Sequence, residues 1–342
     1  MSGGIERAGL EEAGRDEVIR RFLAAQGWDK AERRLLAGDA SFRRYDRLTA
    51  ADGRRAVLMD APPPMENVRP FLAIDRLLAS LDLSVPAIFA EDCENGLLLL
   101  EDLGDDTYTR LLAAGHDEAD LYARATDLLS ALHQRLPQAA LGELRDFDAD
   151  SAVLQVSRLL DWYWPAIHGG EPAAAIRAAF ETAWRAVLPL WHKLPRSLVL
   201  FDYHVDNLLL LDRPGIRCCG LLDFQDALAG PIAFDLASLL EDVRRNVSPA
   251  LRHQLIERYL AANPAIDRDA FMTVYAVSAA QRNIRIAGTF ARLLRRDNKP
   301  GYQRYMPRTW ELIAEDLRHP AMGPVAAWFD THLPPQDRRI LA

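Results

Sequence analysis

A chain of 342 residues exceeds what a single hydrophobic core usually serves, so its length predicts two lobes or domains. Apolar residues make up 49% and charged residues 26%, which is ordinary for a globular protein. The formal net charge of −8 leaves no basic excess to neutralise phosphates and argues against a general nucleic-acid binder, although a small anionic ligand in a locally basic pocket stays possible.

The cysteines and the N-terminus suit a cytoplasmic protein. Cys93, Cys218 and Cys219 form no C-x-x-C pair, as expected in a reducing compartment. The N-terminal residues mix acids and bases and lack the apolar core of a signal peptide. No run approaches the roughly 20 apolar residues needed to cross a bilayer. We therefore expect a cytoplasmic chain with no membrane partner.

The first hundred residues predict a small lobe rich in strands. Apolar spacing over 15–28 is typical of an amphipathic helix. A hairpin follows, with its tight turn at the Asp-Gly pair 52–53, and helical spacing resumes over 66–81. A second strand pair turns at the Asn-Gly pair 95–96. We assign residues 1–102 to this N-terminal lobe.

The rest of the chain is mainly helical. The stretch 101–106, with the sequence EDLGDD, reads as a hinge, and residues 107–342 form the predicted C-terminal lobe. One strand-rich segment, 197–224, interrupts the helical patterns. Those patterns cover 107–136, 147–165, 171–193, 232–246, 249–262, 268–297 and 302–316. The order of elements predicts an α+β protein whose ligand site lies in a cleft between lobes.

Polar residues interrupt an apolar stretch in the middle of the chain. The sequence LVLFDYHVDNLLLL at 198–211 reads as buried strand, yet it contains Asp202, His204, Asp206 and Asn207. Carboxylates are rarely buried unless hydrogen bonds or a metal ion compensate them. The interruption therefore predicts a chemical role.

A second acidic cluster begins at Asp223, sixteen positions after Asn207. The residues between them read as strand, turn and strand, a hairpin that brings Asn207 and Asp223 side by side. Two such oxygen ligands suit Mg²⁺, which takes further ligands from water and substrate phosphates. Asp202 precedes Asn207 by five residues, and this order is that of kinase catalytic residues. Turn and capping roles for these side chains are the alternative.

At these residues the sequence resembles the aminoglycoside phosphotransferase-like kinases. DYHVDN at 202–207 matches their catalytic loop D-x-H-x-x-N, and LDFQDA at 222–227 matches their metal motif. GPIAFDLASLL at 230–240 matches a downstream element centred on Asp235. The resemblance implies the protein-kinase-like bilobal fold, with a small β-rich N-lobe and a larger, mainly helical C-lobe.

Longer segments are similar to one branch of that family, the anomeric N-acetylmuramate/N-acetylglucosamine kinases of bacterial cell-wall recycling. The segments include GDASFRRYDRL and QRNIRIAGTFARLLRRDNKPGYQRYMPR. The resemblance implies transfer of the γ-phosphoryl group of ATP to the C1 hydroxyl of an amino sugar, with Mg²⁺ as cofactor and no obligate protein partner.

The family's roles carry over to matching positions. Asp202 is the expected catalytic base or hydroxyl orienter, and His204 either bonds the transferring phosphoryl group or orders the loop. Asn207 and Asp223 are the expected metal ligands. Asp235 is expected to hydrogen-bond the backbone of the catalytic loop.

The nucleotide side matches the family less closely. The loop AGDASFRRY holds only Gly38, although its backbone N–H groups can still face phosphates. Kinases of this fold place a lysine on the third strand, whereas this chain has Met59 and Asp60 there. Either an arginine (Arg43, Arg44 or Arg55) replaces it, or metal and backbone suffice. The expected nucleotide-binding residues are Ala40, Ser41, Phe42, Arg43, Arg44, Glu101 and Leu103.

The sugar side is expected on the arginine-rich segment near residue 285. Arg282 and Arg285 are three apart and share a helix face, and a bidentate arginine reads a carboxylate such as that of N-acetylmuramate well. Gln281 is a further candidate, and a solvated basic face is the alternative. Asp226 either braces its loop or contacts sugar hydroxyls.

Other functions stay open from the sequence. The runner-up is a kinase of the same fold acting on another small hydroxyl compound, such as an aminoglycoside, choline or homoserine; the arginine-rich helix opposes a polycationic aminoglycoside. The missing strand lysine also permits a pseudokinase that binds nucleotide without turnover. Coupled ADP release with different acceptors separates these cases.

Overall fold

The computed structural model describes residues 2–38 and 42–341. The chain forms two compact units. The first comprises 1–106 and 209–225, and the second comprises 107–208 and 226–342. Within the described residues, none of the helices combines the length and apolarity that a bilayer crossing requires.

A five-stranded antiparallel sheet dominates the first unit, in the order β1-β2-β3-β5-β4. The turn between the second and third strands places Gly53 at φ 84°, a left-handed conformation that glycine adopts without strain. The strands are β1 (Glu32–Gly38), β2 (Arg44–Thr49), β3 (Arg55–Asp60), β4 (Ile88–Asp92) and β5 (Leu97–Glu101).

Two helices accompany this sheet, α1 (Ser2–Ala25) and α2 (Arg69–Ser80). The last two turns of α1 supply apolar side chains that pack on one face of the sheet, because β2, β3 and β5 present apolar residues there. This core consists of Ile19, Phe22, Leu23, Trp28, Leu48, Ala56, Leu58, Leu97 and Leu99.

The second unit begins with six α-helices. Asp117 and Asp148 cap two of them by accepting hydrogen bonds from backbone N–H groups of the first turn. A π-helix (Leu159–Tyr163) separates the fourth helix from the fifth. The six are α3 (Tyr108–Ala113), α4 (Glu118–Arg135), α5 (Gln138–Leu141), α6 (Ala149–Val156), α7 (Trp164–His168) and α8 (Ala174–Val187).

Four short strands follow in the middle of the chain. They are β6 (Arg196–Val199), β7 (Leu208–Leu210), β8 (Cys219–Leu221) and β9 (Leu228–Pro231). The pairs are β6 with β9 and β7 with β8, so the predicted strand-rich segment is two separate ribbons. Asp202 to Asn207 lie in the loop after β6, and Asp223 follows β8.

Five further helices complete the second unit. The longest, α11, is buried around most of its circumference, including many polar positions. The last, α13, lies beyond the final predicted helical stretch. The five are α9 (Phe234–Leu240), α10 (Pro249–Ala262), α11 (Arg268–Arg295), α12 (Met306–Asp316) and α13 (Gly323–His332).

Candidate active site

A buried carboxylate, that of Asp235, fixes the loop that carries Asp202. Asp235, in α9, accepts hydrogen bonds from the backbone N–H groups of Leu200 (2.6 Å) and Phe201 (3.0 Å). Phe201 adopts φ 75°, a left-handed conformation unusual for a bulky residue. Such strain persists only where surrounding contacts impose it, and here Asp235 supplies them. Asp235 therefore sets the backbone from which Asp202 projects.

Two opposing effects act on the pKa of Asp235. Complete burial raises its pKa to about 7, while the two backbone N–H donors act in the opposite direction by stabilising the carboxylate. Each donor bonds a different oxygen of the carboxyl group, and both hydrogen bonds are stronger to the ionised form.

Asn207 closes the same loop. Its side-chain Nδ2 donates a hydrogen bond to the backbone oxygen of Asp202 at 2.9 Å. Because the amide nitrogen is used inside the loop, the amide oxygen Oδ1 is left to accept a ligand. Oxygen atoms of this kind are ligands that Mg²⁺ prefers.

His204 is buried within the loop. Burial, reinforced by the positive charge of Arg244, lowers its pKa to about 4, so the imidazole is neutral at physiological pH. Its Nδ1 is buried and has no hydrogen-bond partner among the described residues. Its Nε2 lies 3.5 Å from Nδ2 of Asn207. A neutral ring with an unused nitrogen is suited to ordering the loop or, where that nitrogen carries the proton, to donating one hydrogen bond to a ligand.

Sequence reasoning missed a second set of contacts that holds the loop from its other side. Asp206 accepts a hydrogen bond from Thr109 and pairs with Arg244 at 3.2 Å. Arg244 also pairs with the buried Asp242 at 3.2 Å. Burial opposes ionisation of Asp242, but the charge of His204 where it is protonated and those of Arg244 and Arg282 lower the pKa of Asp242 overall. These partners come from α3 and from the turn after α9, and no spacing rule in the sequence points to them.

Arg285, in α11, stands beside the proposed base. Its Nη2 lies 3.8 Å from Oδ1 of Asp202, and its guanidinium lies over the ring of Phe201 at 4.0 Å. Burial lowers its pKa to about 10, with the Asp202 carboxylate acting against that decrease. Arg285 is therefore charged at neutral pH. It faces the Asp202 side chain, which is 40% exposed.

The other predicted sugar-binding residues have different surroundings. Gln281 is fully buried and donates to the backbone oxygen of Ala152 at 3.3 Å. Arg282 is 2% exposed and donates to the backbone oxygen of Glu241 at 3.3 Å. These contacts favour a structural role for Gln281 and Arg282. Asp226 is exposed, and its charge acts on the pKa of Arg285.

Asp223 lies in the first unit, just after β8. Its φ of 58° is left-handed, and Nε2 of Gln225 donates to its Oδ1 at 2.7 Å. Two contacts fix this segment: Leu221 donates its backbone N–H to Ser84 at 2.8 Å, and Phe224 stacks on Phe71 of α2. Asp223 is thus a strained, part-exposed carboxylate on a rigid support, as a functional ligand often is.

Among the arginines that the sequence left as alternatives, Arg43 is the one near Asp223. Its Nη2 lies 4.0 Å from Oδ1 of Asp223, and its Nε lies 3.9 Å from Oε2 of Glu66. Glu66 also accepts the backbone N–H of Phe42 at 3.0 Å. Arg44 instead pairs with Asp46 and is half exposed. Ala40 and Ser41 lie outside the described residues.

The remaining nucleotide-side candidates have partners of their own. Asp60 lies on β3, the strand that carries a lysine in other kinases of this fold, and it pairs with Arg15 at 2.5 Å. The exposed Arg55 lies 3.7 Å from Asp102. The carboxylate of Glu101 pairs with Arg213 at 2.5 Å, and Leu103 is half-buried. Glu101 therefore ties β5 to the segment after β7.

Among the described residues, no three His, Cys, Asp or Glu side chains cluster as a metal site. Mg²⁺ often takes only one or two carboxylates from a protein and obtains its other ligands from water and phosphates. The oxygen atoms of Asn207 and Asp223 fit a metal of that kind by their chemistry.

Three comparisons place the chain among known proteins. The model of the phosphotransferase enzyme family matches residues 32–271. An N-acetylmuramate/N-acetylglucosamine kinase of Caulobacter vibrioides is 36% identical, with coverage of 95% of this chain and 98% of that protein. A protein of the same name from Pseudomonas putida is 36% identical, with coverage of 90% and 91%.

A solved structure supports the fold. A choline/ethanolamine kinase family protein of Mesorhizobium loti superposes with a TM-score of 0.61 at 15% identity, covering 93% of this chain and 99% of that one. The predicted α+β, protein-kinase-like fold is confirmed, and so is the resemblance read from the catalytic motifs. The chain belongs to the phosphotransferase enzyme family.

Proposed function

We propose that this chain transfers the γ-phosphoryl group of ATP to the anomeric hydroxyl of N-acetylmuramate and N-acetylglucosamine. The observation that carries the proposal is the 36% identity over 95% of the chain to a relative with that sugar-kinase name. The motif residues Asp202, Asn207 and Asp223 are all present, so the chain has the side chains that the reaction needs. ATP is an intracellular substrate, and the proposed reaction is therefore cytoplasmic.

In this proposal Asp202 orients the acceptor hydroxyl and receives its proton. Positioning is the main requirement, because a loose phosphoryl-transfer transition state places little demand on the nucleophile. Asp235 and Asn207 meet that requirement by fixing the backbone on either side of Asp202. Arg285 holds a positive charge 3.8 Å from the Asp202 carboxylate and helps to orient it.

Asn207 and Asp223 are the proposed ligands of Mg²⁺. When bound, such a cation neutralises charge on the phosphates of the nucleotide. His204 presents a neutral ring nitrogen and is proposed to order the loop or donate to the phosphoryl group. Backbone groups near Glu101 and Leu103 are the proposed contacts for the adenine.

Arg43 is the proposed substitute for the absent strand lysine. Its guanidinium lies within 4.0 Å of Asp223, the proposed metal ligand, and its side chain is only 12% exposed. Glu66 lies 3.9 Å from Arg43 and just before α2, so it resembles the glutamate that orients the lysine in protein kinases. The Glu66 carboxylate also accepts the N–H of Phe42, which fixes the segment that leads through Arg43 into β2.

Arg43→Gln is expected to weaken ATP binding by about tenfold or more, because a charge-assisted contact to phosphate is lost. Isothermal titration with Mg²⁺ and a non-hydrolysable ATP analogue measures this. Arg44→Gln is the matched control, since Arg44 pairs with Asp46 and is half exposed, and its affinity should change less than about threefold. Equal affinities of the two variants would remove Arg43 from the nucleotide site.

The proposed function is tested by coupled ADP release from purified protein with Mg²⁺ and ATP. N-acetylmuramate and N-acetylglucosamine are expected to support turnover, whereas choline, homoserine and aminoglycosides are not. Turnover with one of the latter only would assign another member of the same fold class. Nucleotide binding without turnover on any acceptor would favour a pseudokinase.

A further inference from the structure

Arg285 lies beside Asp202 in the second unit, and two further arginines, Arg158 and Arg292, belong to the same cluster. Arg285 and Arg292 are seven residues apart in α11, so they lie on one face of the helix, with Thr289 between them. Arg158 comes from the segment that precedes the π-helix, and its Nη1 lies 3.5 Å from Oγ1 of Thr289. Arg285 was a predicted sugar-binding residue, whereas Arg158 and Arg292 were not.

A glycine makes the approach of Arg158 possible. A Cβ atom at Gly288 would lie 2.4 Å from the backbone carbon of Arg158 and 2.4 Å from the backbone nitrogen of Leu159. No side chain fits such a gap, so only glycine lets this backbone pack directly on α11. The π-helix starts at this point, and single-turn π-helices are frequent at functional sites.

Among the described residues, the arginines of this cluster outnumber the carboxylates that form ion pairs with them. Arg285 pairs with Asp202 at 3.8 Å, and among the described residues neither Arg158 nor Arg292 has an ion pair within 4.0 Å. The Nε atoms of Arg285 and Arg292 are buried without a hydrogen-bond partner in the same part of the chain.

The surrounding carboxylates offset part of this charge: Asp226 raises the pKa of Arg285, and Asp297, which is paired with Arg296, raises that of Arg292. Burial lowers the pKa of Arg158, and the charge of Arg292 lowers it further, while Asp202 and Asp161 act in the opposite direction. Asp161 is already paired with Arg177 at 2.7 Å. Half-buried guanidinium groups without an ion pair carry a desolvation cost, and an anionic ligand would relieve that cost.

We propose that Arg158, Arg285 and Arg292 form an anion site that binds the lactyl carboxylate of N-acetylmuramate. This inference rests on the proposed function, because Asp202 marks where the acceptor hydroxyl lies. The carboxylate and the anomeric hydroxyl belong to one sugar. A sugar whose hydroxyl lies at Asp202 can therefore place its carboxylate at an anion site next to Asp202. Planar guanidinium groups recognise carboxylates by paired hydrogen bonds, and N-acetylglucosamine has no such group to offer.

The same chemistry would also suit the transferred phosphoryl group, and the two sources predict different kinetics. A carboxylate site affects only the acidic sugar, whereas a phosphoryl site affects both sugars. The test measures kcat/KM for both sugars at saturating Mg²⁺ and ATP in the wild type, Arg158→Gln and Arg292→Gln. Arg295→Gln is the matched control, because Arg295 is an exposed arginine of the same helix.

The ratio of kcat/KM for N-acetylmuramate to that for N-acetylglucosamine is expected to fall about tenfold in Arg158→Gln and in Arg292→Gln, and to stay at the wild-type value in Arg295→Gln. An unchanged ratio, with or without a common loss on both sugars, would overturn the carboxylate site. Thermal unfolding shows whether each variant is folded, and the ratio is read from folded protein. If wild-type protein phosphorylates neither sugar, the proposed function fails; if it phosphorylates both and the ratio does not move, only this inference fails.

Discussion

Asp202→Asn is expected to lower kcat by about a thousandfold, because the amide cannot accept the proton of the acceptor hydroxyl. The affinity for Mg²⁺ and nucleotide should change little. Asn207 bonds the backbone oxygen of residue 202, and Asp235 holds the preceding backbone, so neither support depends on the Asp202 carboxylate. The variant should therefore remain folded and bind nucleotide without transferring phosphate.

Single-turnover kinetics and nucleotide titration separate the two effects. Asp212→Asn makes the same chemical change at an exposed position in the turn after β7 and serves as the control. Near wild-type turnover in Asp202→Asn would contradict the catalytic assignment. Loss of nucleotide binding together with turnover would point instead to a structural role for this carboxylate.

Asp223→Ala is expected to impair the binding of Mg²⁺ with nucleotide as well as turnover. The carboxylate is the charged member of the proposed ligand pair, and a hard cation depends on such oxygen atoms. The strained φ of 58° and the hydrogen bond from Gln225 orient it before any ligand arrives. We expect affinity in the presence of Mg²⁺ to fall by about tenfold or more.

Titrations with Mg²⁺ and with a chelator reveal the role of the metal. In the wild type, Mg²⁺ should strengthen nucleotide binding, and in Asp223→Ala this strengthening should largely disappear. Asp212→Ala, at the exposed position of the same hairpin, should retain it. An Asp223→Ala variant whose affinity still depends on Mg²⁺ as in the wild type would contradict the metal-ligand assignment.

Local patterns predicted much of the fold because their causes are local. The Asp-Gly pair at 52–53 and the Asn-Gly pair at 95–96 favour tight turns whatever surrounds them, and both connect adjacent strands in the sheet. The catalytic loop was also recognisable, since its spacing follows from one short loop between β6 and β7. The last helix, α13, was not predicted, because no local signal in that stretch was read as helical.

Contacts between distant segments could not be read in this way. Arg43 and Arg44 are adjacent, and only the direction of β2 decides which of them lies near Asp223. Arg158 reaches α11 across more than a hundred residues, and the gap at Gly288 that admits it has no sequence signature of its own. Such pairings depend on packing rather than on spacing.

The helix α11 shows where amphipathic reasoning fails. Its polar residues were expected to mark a face toward a ligand, yet the helix is buried on nearly all sides. Gln281 and Arg282 therefore find partners inside the protein, while Arg285 faces Asp202. Two arginines of one helix, Arg282 and Arg285, thus have different surroundings.

The most direct test of the central claim is ³¹P NMR of the product formed from N-acetylglucosamine and from N-acetylmuramate with Mg²⁺ and ATP. We expect one new phosphate ester for each sugar, coupled to the anomeric proton, and no such signal with the Asp202→Asn variant. A phosphate on any other carbon, or no ester with either sugar, would contradict it.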